Sequence, residues 1–182
     1  MATRASIVLA IALVGSACLA TAGADVTLQS QRRAITVSVT PPAGWAGPAY
    51  QAWPSYDSFS FSRGNEPDVC YLQVRFDPYT DEPGDRHSAQ DIVIHWNSTP
   101  LDKIREQYKR EFQNPRVERL STIKVAGESV RVYAVYNADG DYCTAEILRA
   151  GTVVLFELRC PRGKLPPHRS AFFSFLRSLR FT

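Results

Sequence analysis

The chain has 182 residues, of which 45% are hydrophobic, and a formal net charge of +3 at pH 7. This length suits one domain with a substantial hydrophobic core rather than several domains. The small net charge argues against a protein whose partner is nucleic acid.

The first 24 residues predict a cleaved export signal. Arg4 supplies the positive start, and residues 5–14 form an apolar run. A run of about ten residues is typical of a signal peptide and too short to span a bilayer. The small residues around it place cleavage after Ala24, with Ala22 as the second choice. We therefore expect a periplasmic or secreted protein that keeps no transmembrane segment.

Cys18 leaves a second interpretation of the same segment. A bacterial lipoprotein signal ends in a cysteine that receives lipid, usually with leucine three residues before it. Here that position is Gly15, although Ser16 and Ala17 fit the pattern. A lipidated Cys18 would hold the protein at a membrane surface. Cleavage after Ala24 would discard this cysteine instead.

Residues 25–33 are polar and predict a flexible leader ahead of a single globular domain at 34–182. The domain opens with the alternating strand AITVSVT, at 34–40, which prolines then end. The next stretch, PPAGWAGPAYQAWPSYDSFSF, is rich in aromatic residues. Trp45 is expected to plug the edge of the sheet or a helix, and Phe59 and Phe61 are expected to be core residues of the next strand, YDSFSFS. The remaining AGPAYQAW is interpreted as a mobile connector whose two aromatics are candidate contacts for a ligand or partner: Tyr50 and Trp53.

The rest of the domain predicts five main strands and two helices. The strands alternate apolar and polar residues, and turn formers separate them. The helices carry apolar residues at helical spacing, and a proline stands near the start of each. The strands are Val69–Phe76, Val117–Val125, Val130–Tyr136, Tyr142–Arg149 and Val153–Cys160, and the helices are Leu101–Phe112 and Pro167–Leu179.

No motif for catalysis, metal binding or cofactor binding is found in the mature chain. H-E-x-x-H, C-x-x-C, G-x-S-x-G and glycine-rich phosphate loops are all absent. The acidic loop at 77–87 lacks the spacing of a calcium-binding loop. A hydrolase-like enzyme would need His87, Asp91 and His95 to converge in one cleft. Their spacing places no further ligand, so we expect no catalytic residue, metal or cofactor.

Three cysteines follow the export signal, and an exported protein meets conditions in which disulfides persist. If Ile147 opposes an even-numbered residue in the last hairpin, Cys143 lies opposite or diagonal to Cys160. This register favours a Cys143–Cys160 disulfide. A bond from Cys70 to either of the other two is the rival, because all three cysteines occupy apolar strand faces.

The C-terminal part is basic, since no acidic residue follows Glu157. Such a segment could meet anionic lipid or an acidic partner. Arginines near the end of a helix also complement its dipole, so a purely structural role is the leading interpretation. Membrane association through this helix therefore remains an alternative hypothesis.

Two short motifs frame the domain: P-x-G-W after the first strand, at Pro42, Gly44 and Trp45, and SLRF at Ser178 to Phe181. In these motifs, and in the order of its elements, the chain resembles the PsbP-like proteins, in particular exported bacterial members of unknown function. The resemblance implies an α+β fold in which two main helices flank a single antiparallel β-sheet, an α/β/α sandwich. It carries over no catalytic residue, because such families are not known as enzymes.

The leading expectation for function is a non-catalytic exported accessory or binding protein of the bacterial envelope. Its partner would be another envelope protein, met through the outer faces of the fold. Fold alone does not license a function, so neither the partner nor a specific role is predicted.

Overall fold

The computed structural model describes residues 24–64, 67–76, 93 and 96–182. Residues 1–23 of the predicted export signal, with Cys18, the acidic loop at 77–87, and the proposed cluster of His87, Asp91 and His95 therefore lie outside the described residues. Within the described residues, no helix combines the length and the apolar character needed to cross a membrane.

The described chain folds into ten strands and two α-helices. The strands are β1 (Val26–Gln29), β2 (Thr36–Val39), β3 (Ala46–Ala52), β4 (Asp57–Arg63), β5 (Cys70–Phe76), β6 (Arg116–Val125), β7 (Glu128–Tyr136), β8 (Asp141–Arg149), β9 (Thr152–Cys160) and β10 (Arg180–Phe181). The helices are α1 (Leu101–Glu111) and α2 (Arg169–Ser178), and a 3₁₀ helix at Pro166–His168 precedes α2.

The strands form two antiparallel sheets rather than the single sheet expected. Seven strands make the larger one, in the order β3-β4-β5-β9-β8-β7-β6, and β1-β2-β10 make a small second sheet. The second sheet joins the two ends of the domain, because β10 follows α2 and pairs with β2. Alternation in a sequence identifies strands but not which of them share a sheet, so the second sheet could not be anticipated.

Each face of the larger sheet has its own hydrophobic cluster. The main core lies under α2 and the small sheet, and its largest buried side chains include Phe61, Phe156, Phe172 and Phe175. The smaller cluster lies between α1 and the other face of β6, β7 and β8, where Ile104 contributes from the helix. The fold is therefore α+β with helices on both faces of the larger sheet, as expected.

The hairpin of β8 and β9 has the register that the sequence predicts. Ile147 stands opposite the even-numbered Val154, so the apolar faces of the two strands coincide. Ala150 and Gly151 form the turn with φ of 48° and 74°. Positive φ at both central residues is the turn geometry that matches the twist of a two-residue hairpin.

The segment expected to be a flexible leader contains strand β1 instead. Its end is held by Asp57 of β4, which is fully buried. The Asp57 carboxylate accepts hydrogen bonds from the Ser30 hydroxyl at 2.9 Å and from the Gln31 backbone N–H at 2.6 Å. The Ser30 oxygen in turn accepts from the backbone N–H of Arg33. Residues 25–33 are polar, yet hydrogen bonds to Asp57, which is distant in the sequence, hold the end of this segment in place.

The prediction that AGPAYQAW is a mobile connector is also wrong, because residues 46–52 of this segment form strand β3. Among the described residues, this strand lies at one edge of the larger sheet and pairs only with β4, with an irregular register between Ala46 and Ala49. Pro48 lies inside that irregularity. Proline is tolerated at sheet edges and bulges because no ladder hydrogen bond is lost there. Trp45, just before the strand, is buried as predicted.

Candidate functional site

Strands β4, β5 and β9 present a polar and aromatic surface on the face opposite α2. Alternate residues of a strand point to opposite faces, and the even-numbered residues of β5 belong to the main core. Its odd-numbered residues therefore point to the other face, where Tyr71 stands opposite Arg159 and Arg159 stands opposite Tyr142. We call this surface the arginine–aromatic face; it consists of Trp53, Tyr56, Tyr71, Arg75, Tyr142, Glu157 and Arg159.

One buried carboxylate organises the charges of this face. Glu157 is only 4% exposed. It accepts a hydrogen bond from Arg75, and another from Nε of Arg159 at 2.7 Å. A buried charge must be paired to be tolerated, and here one carboxylate serves two guanidinium groups. The three side chains together carry one excess positive charge at the surface.

Arg159 stays charged in this setting. Burial alone would lower the pKa of its guanidinium group. The charge of Glu157 and the hydrogen bond to it outweigh that effect, with Tyr142 and Tyr56 adding to them, so the pKa of Arg159 is raised above its ordinary value. The side chain is nevertheless 57% exposed. Arg159 is therefore a cation that the fold positions and a partner can reach.

Aromatic rings flank the two arginines. The ring of Trp53 stacks on Tyr56, with centroids 5.6 Å apart. The guanidinium carbon of Arg75 lies 6.0 Å from the centroid of the Tyr56 ring, and that of Arg159 lies 5.7 Å from the Tyr142 ring. These distances allow cation–π attraction, which helps to fix the arginines in place.

The two aromatic residues proposed as contacts are both exposed, but they do not form one platform. Tyr50 stands opposite Phe59 and packs on it with ring centroids 5.2 Å apart, on the side of the main core. Trp53 lies beyond the end of β3 and belongs to the arginine–aromatic face through Tyr56. Tyr71 is also exposed, and the sequence analysis does not predict a contact role for it. Tyr71 is an odd-numbered residue in a strand whose even-numbered residues are apolar and face the core. That alternation in the sequence predicts that its side chain points away from the core.

A small cleft of about 110 Å³ adjoins this face. It lies where β7 turns into β8, beside the end of β9. Its lining combines two aromatic rings, one arginine and polar turn residues: Phe112, Asn137, Asp139, Gly140, Asp141, Tyr142, Arg159 and Cys160.

The disulfide joins Cys70 to Cys160, so the expected Cys143–Cys160 pairing is wrong, and the rival pairing through Cys70 is confirmed. The register of β5 and β9 puts Tyr71 opposite Arg159, and the next pair along is Cys70 and Cys160, whose Cα atoms are 4.3 Å apart. Cys143 is diagonal to Cys160, as the register argument required, but it is a free, buried thiol. Strand β9 has two neighbours, and only the hairpin neighbour is visible in the sequence.

The free thiol of Cys143 should be unreactive in the folded protein. Burial, with a smaller contribution from the charge of Glu118, raises its pKa from 9.0 to about 12. Near pH 8 this leaves roughly a thousandfold less of the reactive thiolate than an unperturbed cysteine has. Iodoacetamide should therefore leave the native protein unmodified, and should add one group per mature chain in denaturant, as read by intact mass. Rapid alkylation of the native protein would contradict this placement.

The basic residues of the C-terminal part meet acidic partners from elsewhere in the chain. Lys164 contacts Asp68 at 3.2 Å, and Arg169 contacts Glu118 at 3.3 Å. Arg180 lies 3.4 Å from Asp25. The segment is therefore not an isolated basic patch in space, and these contacts favour the structural interpretation over lipid binding.

Comparison with known proteins finds similar solved structures but no matching protein family. No protein-family model matches the chain, and no curated protein does. The solution structure of cyanobacterial PsbP (CyanoP) from Synechocystis sp. PCC 6803 is similar at 13% identity and a TM-score of 0.46, covering 93% of this chain and 99% of that one. The crystal structure of PA94, a protein of unknown function from Pseudomonas aeruginosa, is similar at 14% identity and a TM-score of 0.44, covering 86% and 96% respectively. Neither similarity carries an argument about the function of this chain.

Proposed function

We propose that this protein is a non-catalytic, exported accessory protein that binds another protein of the bacterial envelope through its arginine–aromatic face. The observation that carries the proposal is the exposure of Trp53 and Tyr71 around the ion cluster of Arg75, Glu157 and Arg159. Tryptophan, tyrosine and arginine are the residue types enriched among the side chains that dominate binding energy at protein interfaces. The excess positive charge favours a partner surface that supplies acidic groups.

The shape of the site favours a protein over a small molecule. Pockets for small ligands usually have volumes of about 300–1,000 Å³. The cleft beside Arg159 has a volume of only about 110 Å³, and it is lined by the ends of β8 and β9 and by the turn before β8. A ligand confined to it would bury little surface, whereas a protein could cover the cleft, Tyr71 and Trp53 together.

The edge strand β3 extends the same surface. Its residues are largely exposed, and none of them is charged. Edge strands usually carry charges or other features that discourage pairing with another chain. The bulge around Pro48 protects the first half of β3, but within the described part of the chain no strand or charged side chain of β3 protects the regular half, at 49–52. An extended segment of the partner could pair there and run on past Trp53.

Site-specific photocrosslinking in cells would test this proposal. A photoreactive phenylalanine analogue at Tyr71 should give one discrete crosslinked species in the envelope fraction. Phe173 is the matched control position, because it is a partly exposed aromatic residue on α2, on the other side of the sheet. A second change, Trp53→Ala with Arg159→Ala, should reduce the crosslink at Tyr71 at least severalfold while leaving the circular dichroism spectrum unchanged.

The proposal fails if Tyr71 gives no discrete species, or if both positions give the same ones. The mass of the recovered protein also tests the export step. A mature chain that begins at an unmodified Asp25 fits cleavage after Ala24, whereas a lipid on Cys18 would make the protein membrane-anchored.

A further inference from the structure

His168 lies beside the disulfide at one end of the larger sheet. One ligand atom from each of Cys70, Cys160 and His168 can be chosen so that all three lie within 4.8 Å of one another. Among the described residues, no other group of three or more histidine, cysteine or acidic side chains gathers in this way. Because this cluster joins two sulfur atoms to an imidazole, it has a chemistry that the proposed partner-binding function does not use.

Contacts other than the disulfide also bring these three side chains together. Six consecutive residue pairs join β5 to β9 in antiparallel orientation. They place Cys70, at the start of β5, beside Cys160, at the end of β9. His168 ends the 3₁₀ helix, where its backbone N–H donates to the carbonyl of Leu165 at 3.0 Å. The buried ring of Trp45 meets the imidazole edge-to-face, with centroids 6.0 Å apart. Breaking the sulfur–sulfur bond would therefore leave two thiols and an imidazole close together.

We propose that the reduced protein binds one zinc ion through Cys70, Cys160 and His168, with water as the fourth ligand. Two cysteines and one histidine form a known zinc ligand set. Zinc–sulfur bonds of about 2.3 Å and zinc–nitrogen bonds of about 2.0 Å place tetrahedral ligands roughly 3.5–3.8 Å apart. Each sulfur lies within 4.8 Å of a ring nitrogen of His168, at most about 1 Å beyond that spacing, and the two sulfur atoms, which are bonded to each other here, would move apart by side-chain rotation after reduction.

Charge also suits a zinc ion at this position. Two thiolates neutralise the divalent ion, so the complex can be buried at little electrostatic cost. Arg63 stands directly opposite Cys70 in the pairing of β4 with β5, and a nearby cation favours the thiolate form of a cysteine. His168 is only partly buried, which leaves one side of the cluster open to an entering ion and to water.

The disulfide and the zinc complex are alternative states of the same two sulfur atoms. A dithiol reductant would transfer two electrons and two protons to the Cys70–Cys160 bond and become a disulfide itself. Zinc would then displace the two thiol protons. The oxidised protein, in contrast, offers only His168 and should not hold the ion.

Cobalt binding by the mature protein would test the proposal. The protein is reduced with a phosphine, freed of reductant without air, and titrated with Co²⁺ as a coloured substitute for Zn²⁺. One equivalent should bind, with thiolate-to-cobalt charge-transfer bands and the visible bands of a tetrahedral site, and Zn²⁺ should abolish both. His168→Ala should weaken binding at least tenfold, whereas Cys143→Ser should bind like the unchanged protein, and the oxidised protein should not bind.

Absence of the charge-transfer bands in the reduced protein would overturn the proposal. So would loss of the site in Cys143→Ser with no effect of His168→Ala, because the ligands would then be different ones. If reduction unfolds the chain, Zn²⁺ should restore its circular dichroism, and failure to do so counts against the site. None of these outcomes bears on crosslinking at Tyr71, so the two proposals stand or fall separately.

Discussion

Replacing both Cys70 and Cys160 by alanine should lower the free energy of unfolding by about 2–5 kcal/mol. The bridge spans 90 residues of sequence, so its loss frees a long loop in the unfolded chain. It also removes the covalent link between β5 and β9, the two strands that join the N-terminal and C-terminal halves of the larger sheet. Urea denaturation followed by circular dichroism would measure the change.

Cys143→Ala is the matched control for the double replacement. It also shortens a buried cysteine in the same sheet, but it leaves the bridge intact. We expect it to cost about 1 kcal/mol, as small deletions in a core do. Equal losses in the two variants would mean that the bridge contributes no stability beyond the packing of its side chains.

Phe175→Ala should lower the free energy of unfolding by about 3–5 kcal/mol. Phe175 is fully buried on α2, and its ring meets Phe61 at 5.9 Å and Phe156 at 6.5 Å between centroids. These partners come from β4 and β9, so one side chain packs the helix against two parts of the sheet. Truncation leaves a cavity that the rigid strands cannot fill.

Phe173→Ala provides the comparison on the same helix. Phe173 is only partly buried, and the guanidinium carbon of Arg177 lies 5.7 Å from its ring centroid. Its loss should cost much less, because solvent can fill the space. Thermal or urea unfolding of both variants would check the difference, and a Phe173 effect as large as that of Phe175 would show that α2 is packed differently.

Local patterns were sufficient for much of the fold. Strand β8 and strand β9 follow each other across a two-residue turn, so side-chain alternation fixes both their pairing and their register. Helix α1 begins at Leu101 as predicted and ends one residue early. In such elements the residues that determine the structure are neighbours in the chain, which is why a single sequence suffices.

Composition misled the interpretation of β3. Glycine, proline and alanine are poor strand formers in general, so the composition of AGPAYQAW predicts a connector rather than a strand. At a sheet edge half of the backbone groups need no partner, and a bulge accommodates the proline. Edge position depends on the order of the strands, which no local pattern reveals.

The candidate site was predicted only where it rests on local features. The sequence predicts contact roles for Tyr50 and Trp53 because it places them on a connector, and both side chains are exposed although most of that segment forms β3. The cluster of Arg75, Glu157 and Arg159 could not be identified, because it exists only where β5 lies beside β9. The pairing of β5 with β9 also brings Cys70 next to Cys160. The sequence does not predict this pairing, and for that reason it predicts neither the ion cluster nor the correct disulfide.

That contact between β5 and β9 also constrains when the sheet can be completed during synthesis. Strands β3, β4 and β5 are the first strands of the larger sheet to be synthesised. The second neighbour of β5 in that sheet is β9, which is synthesised only when residues 152–160 emerge. Pairings between distant segments form slowly, because the intervening chain must be closed into a loop. Until β9 is synthesised, the N-terminal half therefore exposes the apolar face of β5 and its unpaired edge. Exposed apolar surface and unpaired strand edges promote aggregation, so a chaperone or a partner would protect the chain most during this interval.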